Sequence, residues 1–123
     1  MPKNLKVRWA DKPEAQDHAA AASFLSLLQT PERAKRIVSK LKRAKLTEFR
    51  AKDIFRASGL PLLPLSNSHV KKDEKNILSG VELSPILLVR DPDHGKVVIA
   101  DGYHRMCAVY AFDEDAVIPC KII

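Results

Sequence analysis

The densest chemistry in the chain lies in Val97-Val98-Ile99-Ala100-Asp101-Gly102-Tyr103-His104-Arg105, an apolar run that ends in an acid, a glycine, a histidine and an arginine. Such a run predicts a buried strand, a glycine turn and the start of a helix. The first-turn N–H groups of a helix have no intrahelical acceptor, and its positive dipole end favours anions. Gly102 lets a ligand approach the backbone closely, and Arg105 suits a two-pronged bond to phosphate oxygens. His104 offers a further donor, and Asp101 suits a magnesium ion or a ribose hydroxyl. The same residue types also describe a plain strand-to-helix turn with a solvated arginine, and both readings stay open at this point.

Other reactive residue types are sparse. His69, His94, His104 and Asp101 could supply metal ligands, but no pair has recognised metal spacing, so no resident metal is expected. The two cysteines, Cys107 and Cys120, make no disulfide framework and read as reduced, half-buried thiols of a bacterial-type cytoplasm. No G-x-S-x-G elbow supports a serine nucleophile.

The elements that must position the Asp101–Arg105 box differ between the two halves of the chain. Residues 14–28 are alanine-rich and helix-forming. Thr30-Pro31-Glu32 is a helix start, after which Ala34, Ile37, Val38, Leu41 and Ala44 make one apolar stripe among lysines and arginines. Thr47 is read as the cap of a third helix carrying Phe49, Ile54 and Phe55 and ended by Gly59. Trp9, ahead of these helices, is read as a packing anchor. From Leu60 the character changes: residues 60–65 alternate leucine and proline and suit an extended segment or edge strand. Residues 71–78 suit a short polar helix, and 84–89 a strand covered on both faces. A turn at 91–95, a returning strand at 96–100, a helix at 103–112 and a last strand at 117–123 complete the expectation.

Composition bounds the class. With 123 residues, 46% hydrophobic and 29% charged, one compact unit is expected, and a large multidomain enzyme is excluded. No stretch reaches the roughly 20 apolar residues of a membrane span, and no basic-flanked leader is present, so a cytoplasmic protein without a membrane partner is expected. Charge is uneven: residues 1–60 hold 14 Lys and Arg against 6 Asp and Glu, whereas 61–123 hold 7 against 9. A basic half suits a polyanionic partner such as nucleic acid through residues 33–56, and it equally suits a solvated helix face.

The order strand Ser84–Val89, turn, strand Val97–Ala100, box Asp101-Gly102-Tyr103-His104-Arg105, helix and closing strand Val117–Ile122 resembles the ParB/sulfiredoxin superfamily over residues 61–123. The resemblance implies an α+β fold, a small mixed β-sheet with helices; the basic helical N-terminal extension expected over residues 1–60 precedes it and is not part of the resemblance. In that superfamily the box binds nucleotide phosphates. Carried over, this implies ATP or CTP, with magnesium arriving on the nucleotide, held by Gly102, the Tyr103 backbone, His104 and Arg105. A family lysine on the preceding helix falls at Lys75, although its neighbouring hydroxyl residues are missing. Sulfiredoxins carry their reactive cysteine where this chain has Tyr103, so sulfinic acid repair is not expected. Partition activity is not expected either, because the helix-turn-helix and dimerisation domains of ParB have no counterpart here.

Three functions emerge as expectations. The first is nucleotide binding with hydrolysis or phosphate transfer, with Asp101 and His104 as the catalytic residues; the box then lacks an obvious general base, Glu82 being a distant second acid. The alternative is a non-catalytic DNA-associated or protein-interaction adaptor using the basic helices. A nuclease is disfavoured by the absence of a clustered acidic pair for two metals. Oligomeric state is not legible.

Overall fold

The computed structural model describes residues 6–123. The first helix, α1 (Ala15–Leu25), is led by Glu14, whose backbone N–H donates to the Asp17 carboxylate at 2.8 Å. α2 (Pro31–Arg43) starts where Thr30 accepts from the Arg33 N–H, with proline in the first turn where no donor is needed. The third helix expected from Thr47 begins later. Thr47–Arg50 is instead a short strand, β1, that pairs antiparallel with the closing strand, and the helix α3 runs from Ala51 to Ser58. Here pairing with an available sheet edge overrides a hydroxyl that looks like a cap. Gly59, at φ +67°, ends α3 as expected.

Residues 60–65 form no ladder; their prolines leave an irregular path, and Leu62, Leu63 and Leu65 pack on the core. Helix α4 (Ser68–Leu78) begins three residues earlier than expected because the Asn67 side chain caps the His69 and Val70 N–H groups. Strand β2 (Ile86–Asp91), a short 3-10 turn closed by Gly95, and strand β3 (Lys96–Asp101) make a hairpin. Helix α5 (Tyr103–Phe112) and strand β4 (Val117–Ile122) complete the chain.

The sheet order is β1-β4-β2-β3, antiparallel except for the parallel β2/β4 pair, so the fold is α+β with a mixed sheet. Residue parity along the strands divides the interior in two. Ile86, Leu88, Val97, Ile99, Ile118 and Cys120 meet residues of α3, α4 and α5 on one face. Leu87 and Ala100, with Val89 and Val98, meet Ala21 and Leu25 of α1 and Ala34, Val38 and Leu41 of α2 on the other. The unbroken apolar run of β2 is therefore needed: each parity has its own core. Trp9 acts as the expected anchor, bridging to Leu83 and packing on the first core.

Candidate functional site

The box sits where β3 hands over to α5. Just before it, β3 carries one extra residue: Leu88 stands opposite Ile99 but Leu87 opposite Asp101, leaving Ala100 unpaired. Such a bulge bends the strand end and re-aims the residues beyond it. Gly102 then adopts φ +110°, and a Cβ there would lie 2.7 Å from Ile86 Cγ1 and 3.0 Å from Arg105 Nη2. Only glycine meets both demands, a left-handed backbone and contact with a fully buried isoleucine. The first helical bond of α5 runs from the Met106 N–H to the Gly102 carbonyl, so the N–H groups of Tyr103, His104 and Arg105 have no acceptor within the helix.

Asp101, Gly102, His104 and Arg105 line a polar cleft of about 350 Å³. Opposite them stand His69, Lys72, Asp73 and Asn76, one face of α4. Asp17 and Glu14 close a third side from the start of α1, and Glu82 and Ser84 come from the segment before β2. One expected site residue is elsewhere, and another contributes through its backbone alone, as expected. Lys75 lies off the cleft-lining face of α4 and is exposed; Lys72 takes its place. Tyr103 turns its ring onto the core and donates its hydroxyl to the Pro61 carbonyl, so only its backbone reaches the helix end.

Arg105 also departs from the expectation of a free phosphate fork. Its Nη2 donates to Asp101 Oδ2 at 3.0 Å and to the Pro85 carbonyl at 3.2 Å, with both members of the ion pair only 16% exposed. One helical turn separates Asp101 from Arg105, and that spacing brings them together. The Arg105 Nε is buried with no partner among the described residues.

Burial is the main influence on the site's acids. It pushes Asp101 above the usual carboxylate range; the Arg105 charge and hydrogen bond oppose this, and the charge and hydrogen bond of the neighbouring Asp17 add to it. Burial likewise raises Asp73, against the pull of Arg105, His104, Lys72 and His69. His104 is held below the ordinary histidine value by burial first and by His69 second, the two rings lying 4.9 Å apart.

Asp17 and Asp73 escape a reading confined to the box. Asp73 was visible in principle: His69, Lys72, Asp73 and Asn76 recur at the spacing of one helix face. Asp17 gives no such signal, because it resembles any first-turn acid until α1 docks against β3. Among the described residues no group of three or more His, Cys, Asp or Glu is arranged to hold a metal ion. Cys107 and Cys120 are fully buried rather than half-buried as expected, because both side chains face the first core, and burial raises both thiols, that of Cys120 to about 12. No described helix is long and apolar enough to cross a membrane.

A larger groove, about 1070 Å³, lies between α1 and α2; Ala15, Ala19, Ala22 and Val38 line it together with charged and titratable side chains, among them His18, Lys35 and Lys42. Among the described residues no side-chain hydrogen bond or ion pair joins these groups to one another, whereas the smaller cleft holds the Asp101–Arg105 pair. Compared with models of known protein families, with curated proteins and with solved structures, the chain matches none.

Proposed function

We propose that the cleft binds a magnesium-complexed nucleoside triphosphate, ATP or CTP, with its phosphates at the N-terminus of α5, and hydrolyses it or transfers its terminal phosphate. The observation that carries this reading is the opening of the α5 N-terminus, through Gly102, onto a polar cleft of a size suited to a small ligand. The cleft's charges favour the magnesium complex over the bare anion. Glu14, Asp17, Asp73, Glu82 and Asp101 outnumber Lys72 and Arg105 there, so an uncomplexed polyphosphate meets net repulsion. In this reading Asp101 faces the cation, Lys72 and the first-turn N–H groups of α5 face the phosphates, and His104 donates to the transferred group.

The test is a thermal-shift panel of ATP, ADP, CTP and GTP, each with and without magnesium. A nucleotide at a hundred times its dissociation constant adds about 2.7 kcal/mol of stability, several degrees for a chain of this size. The expected result is a shift with ATP or CTP that needs magnesium; a flat panel refutes the reading.

A second reading rests on a separate observation. Lys35, Arg36, Lys40 and Arg43 surround one shallow depression on the outer side of α2, and none of them is ion-paired among the described residues. Arg50 and Lys52, part of the same basic stretch in sequence, are instead drawn to Asp115. If α2 contacts nucleic acid, duplex DNA binding falls steeply with salt and is lost on reversing the α2 charges. Salt-insensitive or absent binding removes this reading.

A further inference from the structure

The groove between α1 and α2 belongs to neither reading above. Its α1 wall is Ala15, His18, Ala19 and Ala22, and its α2 wall is Lys35, Val38, Ser39 and Lys42. Each set recurs at the i, i+3, i+4, i+7 spacing of one helix face, so the groove is the seam of two facing helices, about two turns long. The α1 wall is built on small apolar residues, Ala15 and Ala19 being exposed. Alanines there let a third helix come close, since axial separations near 8 Å need small residues at the contact. The α2 wall is wholly basic, because the two acids of the lining, Asp11 and Glu14, sit together in the segment before α1. No ion pair among the described residues engages Lys12, Lys35 or Lys42. Lys121 adds to the charge at the Lys42 end, where its Nζ donates to the Lys42 carbonyl at 2.7 Å. His18 stands beside that end, and its Nε2 is buried with no partner among the described residues.

We propose that this groove receives an amphipathic helix of a partner protein, its apolar face on the α1 alanines and its acidic residues against Lys35 and Lys42. The inference is independent of the nucleotide and nucleic-acid readings. Charge complementarity sets the partner's pattern. Lys35 and Lys42 are seven residues apart, a rise of about 10.5 Å, so a helix lying along α2 meets both with acids seven residues apart on one edge. Its neighbouring face carries small or apolar residues at i, i+3 and i+4, which pack against Ala15, Ala19 and Ala22. Shape and charge disfavour other occupants. At about 1070 Å³ the open groove exceeds what small ligands ordinarily fill. A bilayer surface is too flat to enter a seam between two helices. Phosphate backbones gain nothing from an alanine wall and find more charge on the outer side of α2, at Arg36, Lys40 and Arg43. A second copy of this chain brings its own net charge of +6 against the same lysines.

The test is a display library of single-helix peptides, randomised over one face, selected on the full chain, with the enriched peptides measured by fluorescence anisotropy. The expected enrichment is for Asp or Glu seven residues apart beside small and apolar residues at i, i+3 and i+4. Ala19→Gln fills the seam without changing charge, and Lys35→Glu with Lys42→Glu reverses its basic wall. All three positions are exposed, and either change weakens the enriched peptides by about tenfold or more. Lys40→Glu, on the outer side of α2, is the control and changes affinity by less than about threefold. Lys42 lies in the last turn of α2, where a cation suits the helix end; should Lys42→Glu fail to fold, Lys35→Glu alone gives the same comparison. Enrichment without acids, no enrichment at all, or peptides that bind Ala19→Gln as tightly as wild type overturn the proposal. Duplex DNA or phosphatidylglycerol vesicles whose binding is lost in both Ala19→Gln and the lysine reversals name a different occupant and overturn it as well.

Discussion

Gly102→Ala isolates what the site demands of its backbone. Two costs add at this position. The first is conformational: an L-residue held at φ +110° is strained by about 1–3 kcal/mol. The second is steric, because the new methyl would stand 2.7 Å from Cγ1 and 3.2 Å from Cγ2 of Ile86. Ile86 is fully buried, and these atoms lie at the root of its side chain, so relief requires movement of β2 or α5. Overpacking of that kind costs about 1–3 kcal/mol. Arg105 Nη2, 3.0 Å away, is the far end of a flexible chain and gives way more easily, but in doing so it strains its bond to Asp101. The combined loss is about 2–6 kcal/mol, a large part of the roughly 5–15 kcal/mol that holds a domain together. Gly95→Ala is the control. Its φ is +64° and nothing lies within 4 Å of a Cβ there, so only the backbone cost of about 1–2 kcal/mol applies. Urea unfolding of both variants with unchanged m reads the difference as a shift in midpoint. Adding Ile86→Ala to Gly102→Ala removes both clashing atoms, so the two substitutions together cost less than their sum, with a coupling of about 0.5–3 kcal/mol. Equal losses at Gly102 and Gly95, or strict additivity with Ile86→Ala, refute the argument.

Arg105→Ala lowers stability as well as any ligand affinity, because it leaves Asp101 and the Pro85 carbonyl without their donor; a loss of about 1.5–3 kcal/mol in ligand-free unfolding is expected. Asp73→Asn raises Tm near neutrality, since burial disfavours the charged form of Asp73 in the folded chain. That gain vanishes below pH 3.8, where Asp73 is protonated in both states; a gain that persists in acid refutes the assignment. His104 and His18 are both held below 6.5 in the folded chain, chiefly by burial, so the unfolded chain binds more protons there and stability is lost as pH falls through 6.5. His104→Gln removes part of that acid limb, seen as a shallower dependence of Tm on pH between 7 and 5; an unchanged slope contradicts the burial argument.

The range of each interaction decided whether the sequence disclosed it or concealed it. The Pro31 start of α2, the Gly59 stop of α3 and the hairpin turn closed by Gly95 are local devices, and the residues themselves state them. The apolar run of β2 announced a strand covered on both faces because no polar parity was left for solvent. Thr47–Arg50 misled because a four-residue edge strand exists only when a partner edge is present, and β4 lies some seventy residues away in the chain. Lys75 and Lys72 differ by less than one helical turn; distance from the box could not choose between them, whereas the face defined by His69, Asp73 and Asn76 does. The box itself was legible, but the Arg105–Asp101 pair shows that an arginine beside a glycine turn can serve the turn first.

The N-terminal helices bear on the site for a reason independent of nucleotide. Leu87 and Ala100, with Val89 and Val98, form the apolar parity of the hairpin that leads to the box, and α1 and α2 bury it. A sheet stripped of them would expose that parity to water at roughly 25 cal/mol for each Å² uncovered. The same docking brings Asp17 into the cleft that Asp101 lines, so the contact that closes the second core also sets the acidic side of the cleft. Fold and chemistry are thereby tied at one interface. Substitutions at the α1–β3 contact, such as Ala21→Val, should disturb the protonation of Asp101 even though they touch no cleft residue, because displacing α1 moves Asp17 with it. The Asp101 carboxyl titration reads this directly, and a curve identical to wild type in a folded Ala21→Val variant shows that the cleft does not depend on how α1 is seated.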